Sequence, residues 1–474
     1  MDRSHADVIV VGGGISGLTC AFWLARAGRD VRVFDQEALP GGCIRTLSEN
    51  GFLFDLGPNT LAYAEGDVSR LCEAAGVAAR LRDPGERAGL RFVLEQGPGR
   101  NASGGGLKPV PSSPGGFFTT PLLSLRGKAR ALREPFIPAR QDEGEESVAA
   151  FVRRRLGAEF LDRIVTPFVS GVSAGDPERM SLRWALPSLH AMEARHGSLF
   201  RGAMAMRKEG APRPRSVSFA GGLEELPRAI AAALGDRLAL SEGVERVEWT
   251  DEGFEIALEG GGRLRATRLV LATPAPESAR LLERLAGEMT ALASVAYAPV
   301  VSVGLGFNAR AFRRAPEGFG YLAGRGATRV LAGCLYMSSL FPERAPEGHV
   351  ALTVLAGCTA HAEIIDWSEE RILDAVLEDV RRGLGPIPAP VFRRVARWPR
   401  AIPQYNLGHG RLVREVEALE RSFPGLHLLG AYLRGPSLAD CIASGSRLAE
   451  SILERGVEGR GSFAAGKETA ATPI

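Results

Sequence analysis

The sequence predicts an α/β protein of two or three domains, organised around a parallel, dinucleotide-binding sheet. Three observations predict it. Residues 7–35 read in order as strand, G-x-G-x-x-G, helix, strand and acid. An apolar run at 269–274 returns to that nucleotide-binding unit, and a strand, glycine turn and helix at 426–453 return to the same ligand. Between them lie a mainly helical stretch at 111–205 and strand-like runs at 299–307, 329–337 and 349–357. Those runs alternate with Gly/Pro loops, as in an antiparallel sheet. At 474 residues the chain exceeds one ordinary core.

The opening unit comes first. Val8-Ile9-Val10-Val11 is a branched apolar run, as expected of a parallel strand buried on both faces. Gly12 permits the tight turn, Gly14 lets a pyrophosphate approach the backbone, and Gly17 lets the helix pack close to the sheet. Leu18, Ala21, Phe22, Leu24 and Ala25 share one helix face, and Gly28 stops the helix. The helix start offers free N–H groups and a partial positive charge. Val31 to Phe34 read as the second strand, and Asp35 at its end is placed to accept from ribose hydroxyls. The plainer alternative, a structural glycine turn, leaves three glycines and an acid unexplained.

Leu39-Pro40-Gly41-Gly42-Cys43-Ile44-Arg45-Thr46 follows, then residues 51–60 with Leu56-Gly57-Pro58-Asn59-Thr60. Paired glycines with an arginine suit a loop lying on phosphates, where Arg45 supplies a fixed charge. Either segment alone reads equally well as a hairpin loop. Behind a dinucleotide fingerprint they point to a flavin, because a nicotinamide dehydrogenase would continue strand, helix, strand.

A helix is expected at 64–76, then a surface hairpin or loop region at 80–110 carrying Arg80, Arg82, Arg87, Arg91 and a glycine-rich run at 97–106. Helical patterns follow at 146–160, 162–172 and 180–196, with Phe117-Phe118 and Phe136-Ile137 exposed in pattern. The Arg/Lys and Phe/Leu content of this stretch suits a membrane surface as well as it suits a helical subdomain with its own core. Strands are expected at 238–249, with Val244 inside, and at 253–258, and an amphipathic helix at 368–384. The last helix, starting near Asp440, points its N-terminus at the pyrimidine end of a flavin, where it stabilises negative charge on the reduced ring. The tail from 456 reads as disordered.

Composition excludes other classes. A net charge of +3 gives no case for nucleic acid. Six scattered cysteines without a C-x-x-C pair read as reduced residues of a cytoplasmic protein, and seven histidines show no metal-ligand spacing. With the nucleotide motif so near the first residue, no export leader is expected, and no uninterrupted apolar run reaches a membrane span.

Gly12-Gly13-Gly14-Ile15-Ser16-Gly17-Leu18, Leu56-Gly57-Pro58, residues 170–177, Leu186-Pro187-Ser188-Leu189, Gly318-Phe319-Gly320-Tyr321-Leu322, Ile402-Pro403-Gln404-Tyr405-Asn406-Leu407-Gly408-His409 and Asp440-Cys441-Ile442-Ala443-Ser444-Gly445 carry a resemblance. Through them nearly the whole chain resembles the protoporphyrinogen oxidases of the flavin amine oxidase-like superfamily. The resemblance implies a monoamine oxidase-like architecture: a discontinuous FAD domain (1–85, 216–295, 392–474), a mixed-sheet substrate domain (86–110, 296–391) and a helical, membrane-associating insert (111–215). It implies non-covalent FAD held by Gly12, Gly13, Gly14, Ile15, Ser16, Gly17, Asp35, Gln36, Gly42, Cys43, Arg45, Gly57, Pro58, Asn59 and Thr60. Val244 would touch the adenine side, and Trp398, Ala431, Pro436, Ser437 and Leu438 the isoalloxazine. Leu322, Leu335 and Leu355 would sandwich a tetrapyrrole, Gly320 would lie against the macrocycle where a side chain clashes, and Arg82, or else Arg80 or Arg87, would pair with a propionate. Those leucines read equally as ordinary strand core.

The implied reaction is a six-electron dehydrogenation of protoporphyrinogen IX, the penultimate step of haem biosynthesis. Flavin N5 takes hydride from a bridge carbon, and oxygen or a membrane quinone reoxidises the flavin. The implied assembly is a homodimer, with peripheral contact on the cytoplasmic face of a membrane. Competing readings are coproporphyrinogen III oxidation on the same fold, another amine or polyene oxidase, and a non-catalytic FAD- or tetrapyrrole-binding protein.

Overall fold

The computed structural model describes residues 5–96, 106–111, 113–142, 144–208 and 214–458. Most of the glycine-rich run at 97–106 and the end of the tail lie outside the described residues.

His5–Val11 is the centre of the first, seven-stranded sheet. It pairs in parallel with Val31–Asp35 on one side and with Arg263–Leu271 on the other. Alternation decides which side chain meets which core. Val8 and Val10 pack with Leu18 and Phe22 of the Ile15–Arg26 helix. Ile9 and Val11 join Leu281 and Leu282 beneath the opposite face. Both faces are therefore covered, as the unbroken apolar run requires. Leu426–Leu428 adds to the far side of Arg263–Leu271, so the late apolar runs do return to this sheet.

The expected strand at 238–249 is two strands. Leu238–Leu240 and Val244–Thr250 sit at opposite edges of the sheet, separated by a turn in which Ser241 takes a left-handed φ of 56°. Ser241-Glu242-Gly243, polar and ending in glycine, was the sequence signal for that break.

The second sheet also has seven strands, in the order Phe392–Pro403, Tyr297–Asn308, His349–Gly357, Leu331–Leu335, Gly320–Ala323, Arg91–Leu94, Leu107–Pro109. It is mixed, because Gly320–Ala323 runs parallel to Arg91–Leu94 while the other pairs are antiparallel. Of the hairpin or loop expected in 80–110, the structure has the hairpin: residues 91–94 and 107–109 pair antiparallel and join this sheet, with Val93 and Leu94 buried. One sequence reading is corrected here. Residues 392–403, grouped by sequence with the cofactor region, hydrogen-bond to Tyr297–Asn308 in this sheet. The Glu369–Leu384 helix, capped by Ser368, covers one face by packing Ile372, Val376 and Val380 on Val303, Leu305 and Val354.

The 111–208 segment is helical, with its own core of Val148, Phe151, Val152, Leu161, Val169, Met180 and Leu182. Arg155 is fully buried there and pairs with Glu134 at 2.6 Å. The expected continuous helix through 172 is interrupted. Leu161–Val165 forms a π-helical turn just before Pro167, whose missing N–H removes one rung of the backbone ladder. Arg344 and Asp55, both buried and 2.9 Å apart, tie the second sheet's region to the flavin-type loops. Among the described residues no helix is long and apolar enough to cross a membrane.

Candidate active site

One cavity of 1550 Å³ runs between the two sheets and the helical segment. Pockets for drug-sized ligands span roughly 300–1,000 Å³, so this one accommodates two large ligands end to end. Its first part is the dinucleotide end. Gly12 has a φ of 111°, and a Cβ there would meet the Ala272 carbonyl at 2.7 Å. Gly17 allows close packing, since a Cβ would lie 2.2 Å from the Gly12 carbonyl. A Cβ at Gly14 would meet nothing within 4 Å, because it would project into open cavity. The helix that starts there has no side-chain cap, leaving its first N–H groups free for a ligand.

Asp35 lines the cavity and accepts from the backbone N–H groups of Gly13 and of Glu37, the latter at 2.8 Å. Burial pushes its carboxyl pKa up, against the pull of those two N–H groups. Arg45 is pinned by the carbonyls of Pro40, Ile44 and Leu39 at 2.9–3.0 Å, so its charge is held at a fixed place on the cavity wall. Ile15, Ser16, Gln36, Gly42, Cys43, Gly57, Pro58, Thr60 and Val244 line the same wall. Gly13 and Gly17 do not; the first holds Asp35 and the second holds the helix to the sheet.

Toward the second sheet, Asn59 donates to the Gly57 carbonyl at 2.9 Å, which leaves its buried Oδ1 facing the cavity without a partner. Trp398 donates its indole N–H to the Leu56 carbonyl at 2.8 Å and lines the cavity. Ala431, Pro436, Ser437 and Leu438 close this region. The uncapped helix, the open space at Gly14 and the orphaned Asn59 acceptor together fit a flavin dinucleotide.

Leu322, Leu335 and Leu355 come together in the remaining part, on adjacent strands around Gly333. Phe168, Gly171, Val172, Leu186 and Leu189 of the helical segment line the same part, with Gly171 packed directly on Leu322, where a Cβ would lie 2.4 Å from its side chain; the sequence reading did not single them out for this role. Gly320 lines the cavity, but its glycine has another cause. Its φ is 140°, and a Cβ would lie 2.1 Å from the Cys334 carbonyl of the neighbouring strand. The clash expected with a ligand is a clash with the sheet itself.

The arginine expectation also changes. Arg82 is outside the cavity, on the surface beside Glu343 at 3.4 Å; Arg80 pairs with Glu225 and Arg87 with Glu317. Arg91 lines the cavity, its guanidinium 4.7 Å from the Phe319 ring, with no carboxylate partner among the described residues. The short apolar run Phe92-Val93-Leu94, with Arg91 at its start, was the available signal for a strand here. Among the described residues no cluster could hold a metal ion.

Known proteins agree with this geometry. The model of the flavin containing amine oxidoreductase family matches residues 15–453. The chain is 33% identical to protoporphyrinogen oxidase, chloroplastic, of Oryza sativa subsp. japonica, over 95% of this chain and 89% of that one. It is 27% identical to coproporphyrinogen III oxidase of Bacillus subtilis (strain 168), over 96% and 99%. The crystal structure of an Exiguobacterium sp. 255-15 protein, provisionally named protoporphyrinogen oxidase, superposes with a TM-score of 0.80 at 26% identity, covering 96% of this chain and all of that one. An uncapped helix over an open glycine cradle, flavin-type loops on one cavity and a match along the chain have one meaning: the protein is an FAD-dependent enzyme belonging to the flavin containing amine oxidoreductase family.

Proposed function

We propose that this enzyme oxidises protoporphyrinogen IX to protoporphyrin IX, with oxygen as the electron acceptor, at the penultimate step of haem biosynthesis. The observation that carries the reading is one continuous cavity, whose dinucleotide end leads into a part lined by Leu322, Leu335 and Leu355 and by apolar residues of the helical segment. FAD supplies hydride acceptance at its N5. The chain's part is positioning and exclusion of water. The leucines hold the macrocycle, Asn59 Oδ1 accepts from a ligand N–H, and Arg91 meets a propionate in a charge-assisted pair. Besides Arg45, the arginines lining the cavity are Arg91 and Arg400. Two cations suit a substrate with two propionates better than coproporphyrinogen III with four. The name of the Bacillus relative keeps that substrate as the second reading.

On the same proposal, residues 1–85, 216–295 and most of 392–474 serve FAD, while 86–110 and 296–391 serve the substrate. The 111–215 segment rests on the cytoplasmic face of a membrane. Its exposed Leu125 (83%), Phe136 (85%), Phe118 and Phe200 beside basic residues support that contact. A homodimer is part of the same reading.

The test is porphyrin fluorescence growth in air with the purified holoenzyme. Faster turnover of protoporphyrinogen IX than of coproporphyrinogen III is expected. The reverse preference moves the enzyme's place in the pathway, and no turnover of either with FAD bound ends the porphyrinogen assignment.

A further inference from the structure

Tyr405 is buried at 3% exposure and lines no part of the cavity. Its hydroxyl nevertheless sits inside a helical hydrogen bond. In the short Ala431–Arg434 helix, the Gly435 N–H and the Ala431 carbonyl are spaced i to i−4, the ordinary partners of an α-turn. Here the Tyr405 hydroxyl stands between them. It accepts from the Gly435 N–H at 2.6 Å and donates to the Ala431 carbonyl at 2.5 Å. A side chain inserted into the backbone ladder opens the turn locally. Burial pushes the phenol pKa up, so the hydroxyl keeps the proton it donates.

What leaves that opened turn is the cavity wall of Pro436, Ser437 and Leu438. Gly435 takes a φ of 129°, and a Cβ there would strike the Asp440 carboxylate at 2.4 Å, so the exit direction is tightly set. The other side of Tyr405 is equally fixed. Its carbonyl accepts from Ser181 N–H at 2.8 Å, Leu407 N–H bonds Arg179 at 2.8 Å, and its ring packs on His409 with centroids 4.3 Å apart.

We propose that Tyr405 is a positioning residue whose hydroxyl, wedged into the Ala431–Gly435 turn, sets where Pro436, Ser437 and Leu438 meet the flavin. The wedge references the cofactor wall to the helical segment through residues 179–181. Without it, two buried backbone groups either close on each other, drawing the turn inward, or lose their partners. The proposal depends on the family's cofactor and not on which porphyrinogen is oxidised, so substrate-free flavin measurements read it.

The experiment compares Tyr405→Phe with the wild-type holoenzyme. Three measurements are made: the visible flavin spectrum, the FAD dissociation constant by reconstitution, and kcat against KM. The expected result is a shifted flavin spectrum, FAD affinity weaker by about tenfold (the effect of one lost buried hydrogen bond) and a lower kcat with KM within twofold. A folded Tyr405→Phe protein with lowered Tm but unchanged flavin spectrum, affinity and kcat overturns the proposal, because the phenol would then be merely structural. Should Tyr405→Phe fail to fold, 3-fluorotyrosine at 405 keeps the shape while strengthening the donor and weakening the acceptor. A shifted flavin spectrum then supports the wedge, and an unshifted one refutes it.

Discussion

Replacing His409 by phenylalanine will flatten the acid side of the stability curve. His409 is 7% exposed, packed between the rings of Trp184 and Tyr405 at 5.4 and 4.3 Å, and its Nε2 has no partner. Burial lowers its pKa from 6.5 to about 4, against the opposing pull of the Leu433 carbonyl and the Glu145 charge. Between those values the unfolded chain binds a proton that the folded chain does not. Stability is therefore lost as pH falls through that window and levels off below it. At ~1.36 kcal/mol per pKa unit the loss is about 3 kcal/mol. Unfolding entropy of ~2.1 cal/mol/K per residue gives about 1 kcal/mol/K for the chain, so the melting temperature should fall by about 3 °C. Phenylalanine keeps a ring between Trp184 and Tyr405 and cannot titrate. Melting scans of both holoenzymes at one scan rate, from pH ~7 to ~4, should converge toward acid by that amount. Parallel curves would show that His409 protonates freely in the fold, and the burial argument would fail.

Arg91→Ala should raise KM for the porphyrinogen by ten- to a hundredfold, the value of about 1.5–3 kcal/mol for a hydrogen bond to a charged group, with kcat and bound flavin little changed; unaltered KM in steady-state assays would remove Arg91 from the site. Gly17→Val forces its Cβ to within 2.2 Å of the Gly12 carbonyl and should yield protein without flavin, read from the visible absorbance. Gly320→Ala should lower the melting temperature and perturb flavin content together, because its Cβ meets the Cys334 carbonyl; a selective rise in KM at unchanged stability would restore the expected contact with substrate.

Legibility followed the range of the interactions. Residues 12–17, 41–45 and 56–60 could be read because each is a local loop whose glycines and polar groups act through their own backbone, and residues from all three line the cavity. Arg91 was passed over for Arg82 because its place depends on Arg91 pairing with Gly320, more than two hundred residues away. No spacing in the sequence reveals that pairing. Gly320 was singled out but explained wrongly, since its constraint comes from the neighbouring strand. Phe168, Leu186 and Leu189 carry helical spacing that would suit a core equally well, so only the packed structure shows that they line the cavity. The break at Ser241 was legible in Ser241-Glu242-Gly243, but the placing of the two strands at opposite sheet edges was not.

The pairing of His5–Val11 with Arg263–Leu271 also shapes how the protein is made. The central strand leaves the ribosome about 250 residues before its partner. At ~5–20 residues per second, the nascent chain spends roughly 15–50 s with one edge of its most apolar strand unpaired. Flavin capture must wait longer still, for the wall contributed by 431–441. The nascent chain is therefore open to aggregation through about half of its synthesis. Slower initiation or a lower growth temperature should raise the soluble, yellow fraction of the expressed enzyme more than added riboflavin does.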